Sequence, residues 1–434
     1  MSGPRPYNGT MNSRSEPVAN LVIVGAGAAG LMAAIAAAEA GRQVVLCEQL
    51  DRVGARLSVT GGGRGNLTDL VPDEEFVAAF GREGRFVQPA LAALDPPALR
   101  ELLKRLGVPT VASDGRHVYP RSDRASDVTQ ALLRRCAELK VDVRVATAVQ
   151  ALLIEGGEAT GVQTRQGPIR GAGVLIATGG RSYAELGGTG RGYELAIQAG
   201  HTIVPVVPAL VPLLTAETWA ASCAGVSVPA RVWIDLPRPA RSAARRAGAA
   251  GERQGDLLFT HHGVSGPAVL DLSGDVADLL RQHPSVPIRI DLAPGTSEAD
   301  WLRRFEVWQQ QSGVQLLRPL LGQHVPRSVA AMVCALGKAD RALTAAHLPL
   351  AMRRRLAELL SGLPLTVTGT EGFERSMVTR GGVALGEVNP RTLESRKLTG
   401  LFFAGEVLNL DGPCGGYNLQ WAFASGYLAG CGSH

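Results

Sequence analysis

The sequence predicts an α/β protein: a parallel sheet begins near the amino terminus, is interrupted by a long β-rich and helical insertion, and is completed only near the carboxyl terminus. Three observations predict it. A strand–turn–helix–strand unit fills residues 21–49, two further apolar strands end in glycine turns at 174–180 and 400–406, and the chain between these two changes its periodicity twice.

The first unit reads LVIVGAGAAGLMAAIAAAEAGRQVVLCEQ. LVIV suits a buried parallel strand, Gly25, Gly27 and Gly30 supply G-x-G-x-x-G, the alanine-rich stretch to about Ala40 is a strong helix former ending at Gly41, and VVLC is a second strand followed by Glu48. The order is chemical. Gly25 makes the tight turn, Gly27 lets backbone approach a pyrophosphate, Gly30 permits close helix–strand packing, and the helix N-terminus stabilises phosphate charge. Glu48 falls where a carboxylate accepts hydrogen bonds from a ribose diol. A lone G-x-G-x-x-G is a weak signal, but flanked by both strands, the helix and the acid it reads as a dinucleotide site with a free 2′-hydroxyl, for FAD or NAD.

The later strands decide between the two. VLIATGG ends in Thr178, Gly179 and Gly180, and GLFFAGE ends in Gly405 and Glu406, both at strand carboxyl ends where open α/β sheets bind ligands. A nicotinamide dehydrogenase of ordinary plan completes its nucleotide domain within about 150 residues. Here completion waits for the carboxyl terminus, as in flavoproteins that hold an extended FAD. The resulting organisation is a disordered tail over 1–19, a discontinuous Rossmann-like FAD-binding domain over 20–200 and 370–434, a β-rich inserted domain over 201–297 and 362–369, and a helical subdomain over 298–361. Short alternating runs such as VSVPARVWIDL and VPIRIDLAPG mark the β-rich part, and AMRRRLAELL marks the helical one.

GAGAAGLMAA, TGGGRGNLT at 60–68, ATGGRSYAELGGTGRGYELAIQAGH at 177–201, GDLLFTHHGVSGPAVLDLS at 255–273 and the stretch from GGVALGEV to WAFASG at 381–426 together resemble the BaiN/RdsA family of NAD(P)/FAD-dependent oxidoreductases. The resemblance runs from about residue 20 onward. It implies the same three-part plan, with a β-barrel-like insertion, and a flavin contact set that adds Ala28 and Val149 to the residues above. It also implies that GPCGGYNLQWA closes over the flavin, with Gly415, Gly416, Tyr417, Asn418 and Leu419 near the ring and the following helix presenting N–H groups to the N1/O2 edge, which becomes anionic on reduction. A glycine cap followed by a packed helix explains Trp421 and Phe423 but not Gly415, Gly416 and Asn418 together.

The glycines of TGGGRGNLT suit a loop laid against the flavin or its pyrophosphate, with Gly62, Gly63 and Asn66 as contacts and Arg56 and Arg64 as charge partners. Where the resemblance leads one to expect cysteine, this chain has Gly65, so no thiol acts there. Four side chains are candidates for catalysis: His261, Arg64, Tyr417 and Cys414. His261 matches the family's Thr-His pair and is of the right type to move a proton beside a flavin. A thiol such as Cys414 can protonate carbon, although a small buried hydrophobe is the better-supported account of an isolated cysteine. No H-E-x-x-H or H-x-x-E-H spacing occurs, so no metal is expected. GGTGRGYELAIQAGH lacks a following strand with a ribose reader, so NAD(P)H would share the flavin's opening with the substrate in alternation.

Composition bounds the rest. With 45% hydrophobic and 19% charged residues the 434-residue chain can bury a large core, and no run approaches the length of a membrane span. Six scattered cysteines without C-x-x-C spacing fit a reducing cytoplasm. Residues 301–360 hold nine basic side chains against three acids and residues 231–253 six against two, which suits a phosphate-binding face or simply arginine-rich solvated surface. The leading expectation is a reductase that takes hydride from NAD(P)H and reduces an activated C=C bond, in a small molecule or in uridine of ribosomal RNA. An oxidase of a small amine and a non-catalytic RNA-binding flavoprotein are the competing readings.

Overall fold

The computed structural model describes residues 19–236 and 251–432, so the expected tail lies, except for Ala19, outside the described residues. Its central layer is a five-stranded parallel sheet in the order Leu401–Phe403, Val174–Ile176, Leu21–Val24, Val44–Cys47 and Asp142–Arg144. Val22 pairs with Val174 on one side and Val45 on the other, and Val174 pairs with Leu401. Strands buried on both faces explain why these segments read as unbroken apolar runs.

Two helices pack tightly beside this sheet. The first, Ala28–Glu39, meets the terminal helix Tyr417–Gly432 through small residues. A Cβ added at Gly426 or Gly430 would lie 2.2 or 2.5 Å from the carbonyl oxygen of Ala29 or Ala33. Neither helix is amphipathic because both are enclosed: Leu31, Met32, Trp421 and Phe423 all belong to one buried core. The alanines therefore serve close approach as well as helix propensity.

The insertion leaves and returns through an antiparallel neck, Ile203–Ala209 against Val378–Val383. Beyond the neck, six strands close into a barrel in the order Leu213–Thr215, Gly263–Ser265, Arg253–Phe259, Ser227–Ile234, Val286–Asp291 and Leu363–Thr370. Closure leaves no unpaired edge. The helices Glu298–Gln311, Leu317–Leu321, Arg327–Leu336 and Leu350–Gly362 form the nested helical piece, and Trp301, Phe305 and Leu356 join the barrel's core.

One helix departs from the sequence reading. Pro267–Leu280 lies within the segment read as β-rich, and packs Ala268, Val269, Leu272 and Val276 into the barrel core. Pro267 at the first helical turn and apolar positions three and four apart account for it. Its other face carries Asp271, Asp275 and Asp278 toward the nucleotide-type domain.

Candidate active site

A cleft of about 560 Å³ runs from the first glycine turn to the neck of the insertion. At one end the chain leaves Val24 into Gly25, whose φ of +101° and whose approach to Ala177 (a Cβ would lie 2.7 Å from its carbonyl oxygen) both require glycine. Gly27 caps the first helix and a Cβ there would meet nothing within 4 Å, because that side of the residue opens onto the cleft. Ala28 lines the same floor. Gly30 does not line it; its missing Cβ would lie 1.9 Å from the Gly25 carbonyl oxygen, so it is a packing glycine.

Glu48 is nearly buried at the cleft wall, where its carboxylate accepts the N–H groups of Ala26 (2.9 Å) and Leu50 (3.0 Å). Each oxygen keeps a lone pair for a ligand hydroxyl. Glu48→Ala is expected to weaken dinucleotide binding by about ten- to a hundredfold, the size of lost hydrogen bonds to a charged group. Fluorescence titration of apo protein with FAD measures this, and an unchanged affinity would show that the acid does not hold the ribose.

Arg56 donates to Glu406 at 2.7 Å, and Glu406 in turn accepts the Thr379 N–H at 2.7 Å. The pair lies across Gly179, where a Cβ would come 2.8 Å from the Arg56 guanidinium. Thr178, Gly179, Gly405 and Glu406 line the cleft with Val149, whereas Gly180 is packed against Thr379 and Glu406 instead. In the triple-glycine loop, Gly62 and Asn66 reach the cleft and Gly63 does not. The Asn66 Oδ1 atom is buried with no hydrogen-bond partner, an acceptor that a bound polar group would satisfy.

Three of the expected catalytic groups lie outside the cleft lining. Arg64 points away, donating to Asp123 at 2.8 Å and lying 4.5 Å over the Tyr119 ring. His261 is exposed in the turn between two barrel strands, where Thr260 N–H meets the Gly263 carbonyl, and it does not line the cleft. Tyr417 is buried against Phe76, with ring centroids 4.6 Å apart, and near Phe80, outside the lining.

The terminal segment does close one side of the cleft with Pro413, Cys414, Gly415, Gly416, Asn418 and Leu419. Its polar groups are committed to its own shape. Asn418 accepts the Gly412 N–H and returns its amide to the Gly412 carbonyl, both at 2.8 Å, so it clamps the loop rather than presenting a free amide to a ligand. A Cβ at Gly416 would strike the Thr68 backbone at 2.7 Å. Trp421 and Ser425 fasten the helix to Gly405 through bonds of 3.2 and 2.9 Å.

Several lining residues went unread in the sequence: Tyr119, Thr147, Leu210, Met377 and Val378. The last three sit at the neck, so the signal that could have found them is their place at the two crossings into the insertion. Among the described residues no group of three or more His, Cys, Asp or Glu is gathered as a metal site, and no helix is long and apolar enough to cross a membrane.

The family described as "HI0933-like protein Rossmann domain" matches residues 19–432. The chain belongs to the HI0933-like family. It is 34% identical to a 3-dehydro-bile acid delta(4,6)-reductase of Clostridium scindens over 94% of this chain and 97% of that one. It is 30% identical to a ribosomal RNA dihydrouridine synthase of Escherichia coli, covering 94% and 96% of the two chains. The open conformation of a flavocytochrome c3 fumarate reductase shares the fold, with a TM-score of 0.51 at 16% identity over 96% of this chain and 78% of that one. The resemblance drawn from the sequence motifs is thereby borne out. The HI0933-like assignment covers both halves of the nucleotide-type domain and the barrel between them.

Proposed function

We propose that this chain is an FAD-dependent reductase that takes hydride from NAD(P)H and saturates a C=C bond conjugated to a carbonyl in an apolar, ring-built small molecule. FAD, when bound and reduced, supplies hydride. The open floor at Gly27, the Glu48 carboxylate and the orphaned Asn66 oxygen fit such a cofactor. The observation that carries the substrate class is the far wall of the cleft, built from Leu210, Met377 and Val378 at the neck together with Leu410. Those side chains would bury an apolar skeleton, at about 25 cal/mol per Å² removed from water, and exclude water from the reacting carbons. The name of the Clostridium scindens relative, a delta(4,6)-reductase, points the same way.

Anaerobic stopped-flow with NADH and with NADPH, followed by mixing with a 3-oxo-4,6-diene bile acid, tests this reading. Bleaching of the flavin by one of the two donors and its return on adding the diene are expected. Slow reduction by both donors with fast reaction toward oxygen would replace the reductase with an oxidase.

A second reading, uridine in ribosomal RNA, is favoured by the arginines of the helical piece and by the Escherichia coli relative's name. That basic excess is partly spent, since Arg353 and Arg355 meet Glu306 and Glu358 and Arg303 meets Asp300. Mass spectrometry of ribosomal RNA from a deletion strain decides it: unchanged dihydrouridine content removes the RNA reading.

A further inference from the structure

We propose that Cys414 is the proton donor of this cleft, and that Asp271, reaching it from the barrel helix, positions it and returns a proton to it after each turnover. The inference rests on the reductase reading above. Cys414 lines the cleft, and its main-chain N–H donates to the Asp271 carboxylate at 2.7 Å across the seam between the two domains.

A cysteine packed beside Leu210, Leu270 and Val378 could be no more than a small apolar side chain. The carboxyl behind it argues otherwise. Asp271, Asp275 and Asp278 share one face of the helix Pro267–Leu280, being four and seven residues apart. Asp275 is neutralised by Arg380 at 2.6 Å and Arg253 at 3.2 Å, and Asp278 has Arg380 at 3.9 Å. Asp271 makes no such ion pair among the described residues; Arg253 gives it only a hydrogen bond to its main-chain carbonyl, at 3.3 Å. A half-buried carboxyl with no cation paired to it among the described residues, and a thiol and a peptide N–H as partners, is costly in a site that needs only packing.

Burial, and after it the Asp271 charge, pushes the Cys414 thiol well above its ordinary range, so it stays protonated at neutral pH. Burial also raises the Asp271 carboxyl, against the Cys414 N–H and thiol and the Arg253 charge, which lower it. The thiol thus carries the proton a general acid needs before it acts.

The chemistry balances. Once hydride has been added to one alkene carbon, the electron pair of the broken π bond sits on the neighbouring carbon, conjugated with the carbonyl. The Cys414 S–H bond breaks as its proton forms the new C–H bond, and the resulting thiolate is reprotonated by one proton taken up from solvent and relayed by the Asp271 carboxylate, which is left as it began. Cys414 is the group that touches the reacting carbon; Asp271 acts through it as a positioning residue.

The test uses holoenzyme and has two arms. Cys414→Ala is expected to keep its FAD and the rate at which NAD(P)H bleaches it, while reoxidation by the 3-oxo-4,6-diene bile acid slows by about a hundredfold or more, the usual worth of a general acid. The second arm reads the thiol itself: iodoacetamide labelling at Cys414, followed by peptide mass spectrometry as a function of pH. Asp271→Asn removes the carboxylate that raises the thiol, so labelling should begin at lower pH and, at a fixed pH where the thiol is still mostly protonated, run about tenfold faster. Labelling of the exposed Cys431 in the same samples serves as the reference. An unchanged labelling profile in Asp271→Asn overturns the coupling. If wild-type protein reduces the diene and Cys414→Ala matches it, the donor assignment falls and the reductase reading stands. If wild-type protein is reduced by NAD(P)H but ignores the diene, the substrate reading falls, and the labelling arm still decides whether Asp271 governs the thiol.

Discussion

Gly27→Val is expected to give a folded but colourless protein. Gly27 has φ −83° and ψ −166°, an extended conformation open to any residue, and a Cβ built there meets nothing of the chain within 4 Å. The branched side chain therefore costs the fold little and takes its space from the cleft alone. Affinity for FAD should fall by about a hundredfold, the upper part of what forced overpacking costs. Absorbance of the purified variant and a melting curve of its apo form measure the two halves of this claim. Full yellow occupancy at ordinary affinity would place the pyrophosphate elsewhere. Gly30→Val supplies the contrast, because its Cβ would lie 1.9 Å from the Gly25 carbonyl oxygen and should prevent folding.

The difference between those two glycines is legible in the residues alone, because one short stretch carries several independent constraints. Strand, turn, helix, second strand and acid follow one another within residues 21–49, and the turn, the helix start and the pairing with the second strand are all set within that stretch. The barrel is legible only as a change of periodicity. Its helix Pro267–Leu280 is less legible, because it starts two residues after the barrel strand Gly263–Ser265 with no linker to separate the two periodicities.

Site residues supplied by distant chain are the least legible. Leu210 and Met377 stand next to each other in no sequence sense, yet the neck brings both to the cleft. The histidine chosen by type, His261, is stranded on a hairpin turn, while Asp271, unremarkable in LDLSGD, reaches Cys414 from 143 positions away. Residue type reports what a side chain can do, and only the topology reports what it can reach.

Gly416 shows the same limit from the other side, and Gly416→Val is the second large effect. The sequence reading assigns this glycine to close approach between backbone and flavin. In the structure its φ of +99° is one that β-branched residues rarely adopt, and its missing Cβ faces the backbone of Thr68 at 2.7 Å. Valine would therefore act first on the chain, forcing the terminal helix away from the short strand Thr68–Asp69. Backbone strain and overpacking, each about 1–3 kcal/mol, together approach half the stability of an ordinary domain. The apo form of Gly416→Val should accordingly unfold at markedly lower urea than apo Gly27→Val, and lose FAD as a consequence. Were apo Gly416→Val as stable as apo wild type while still failing to bind FAD, the side chain would be blocking the ligand directly, and the contact with Thr68 would not be what requires glycine here.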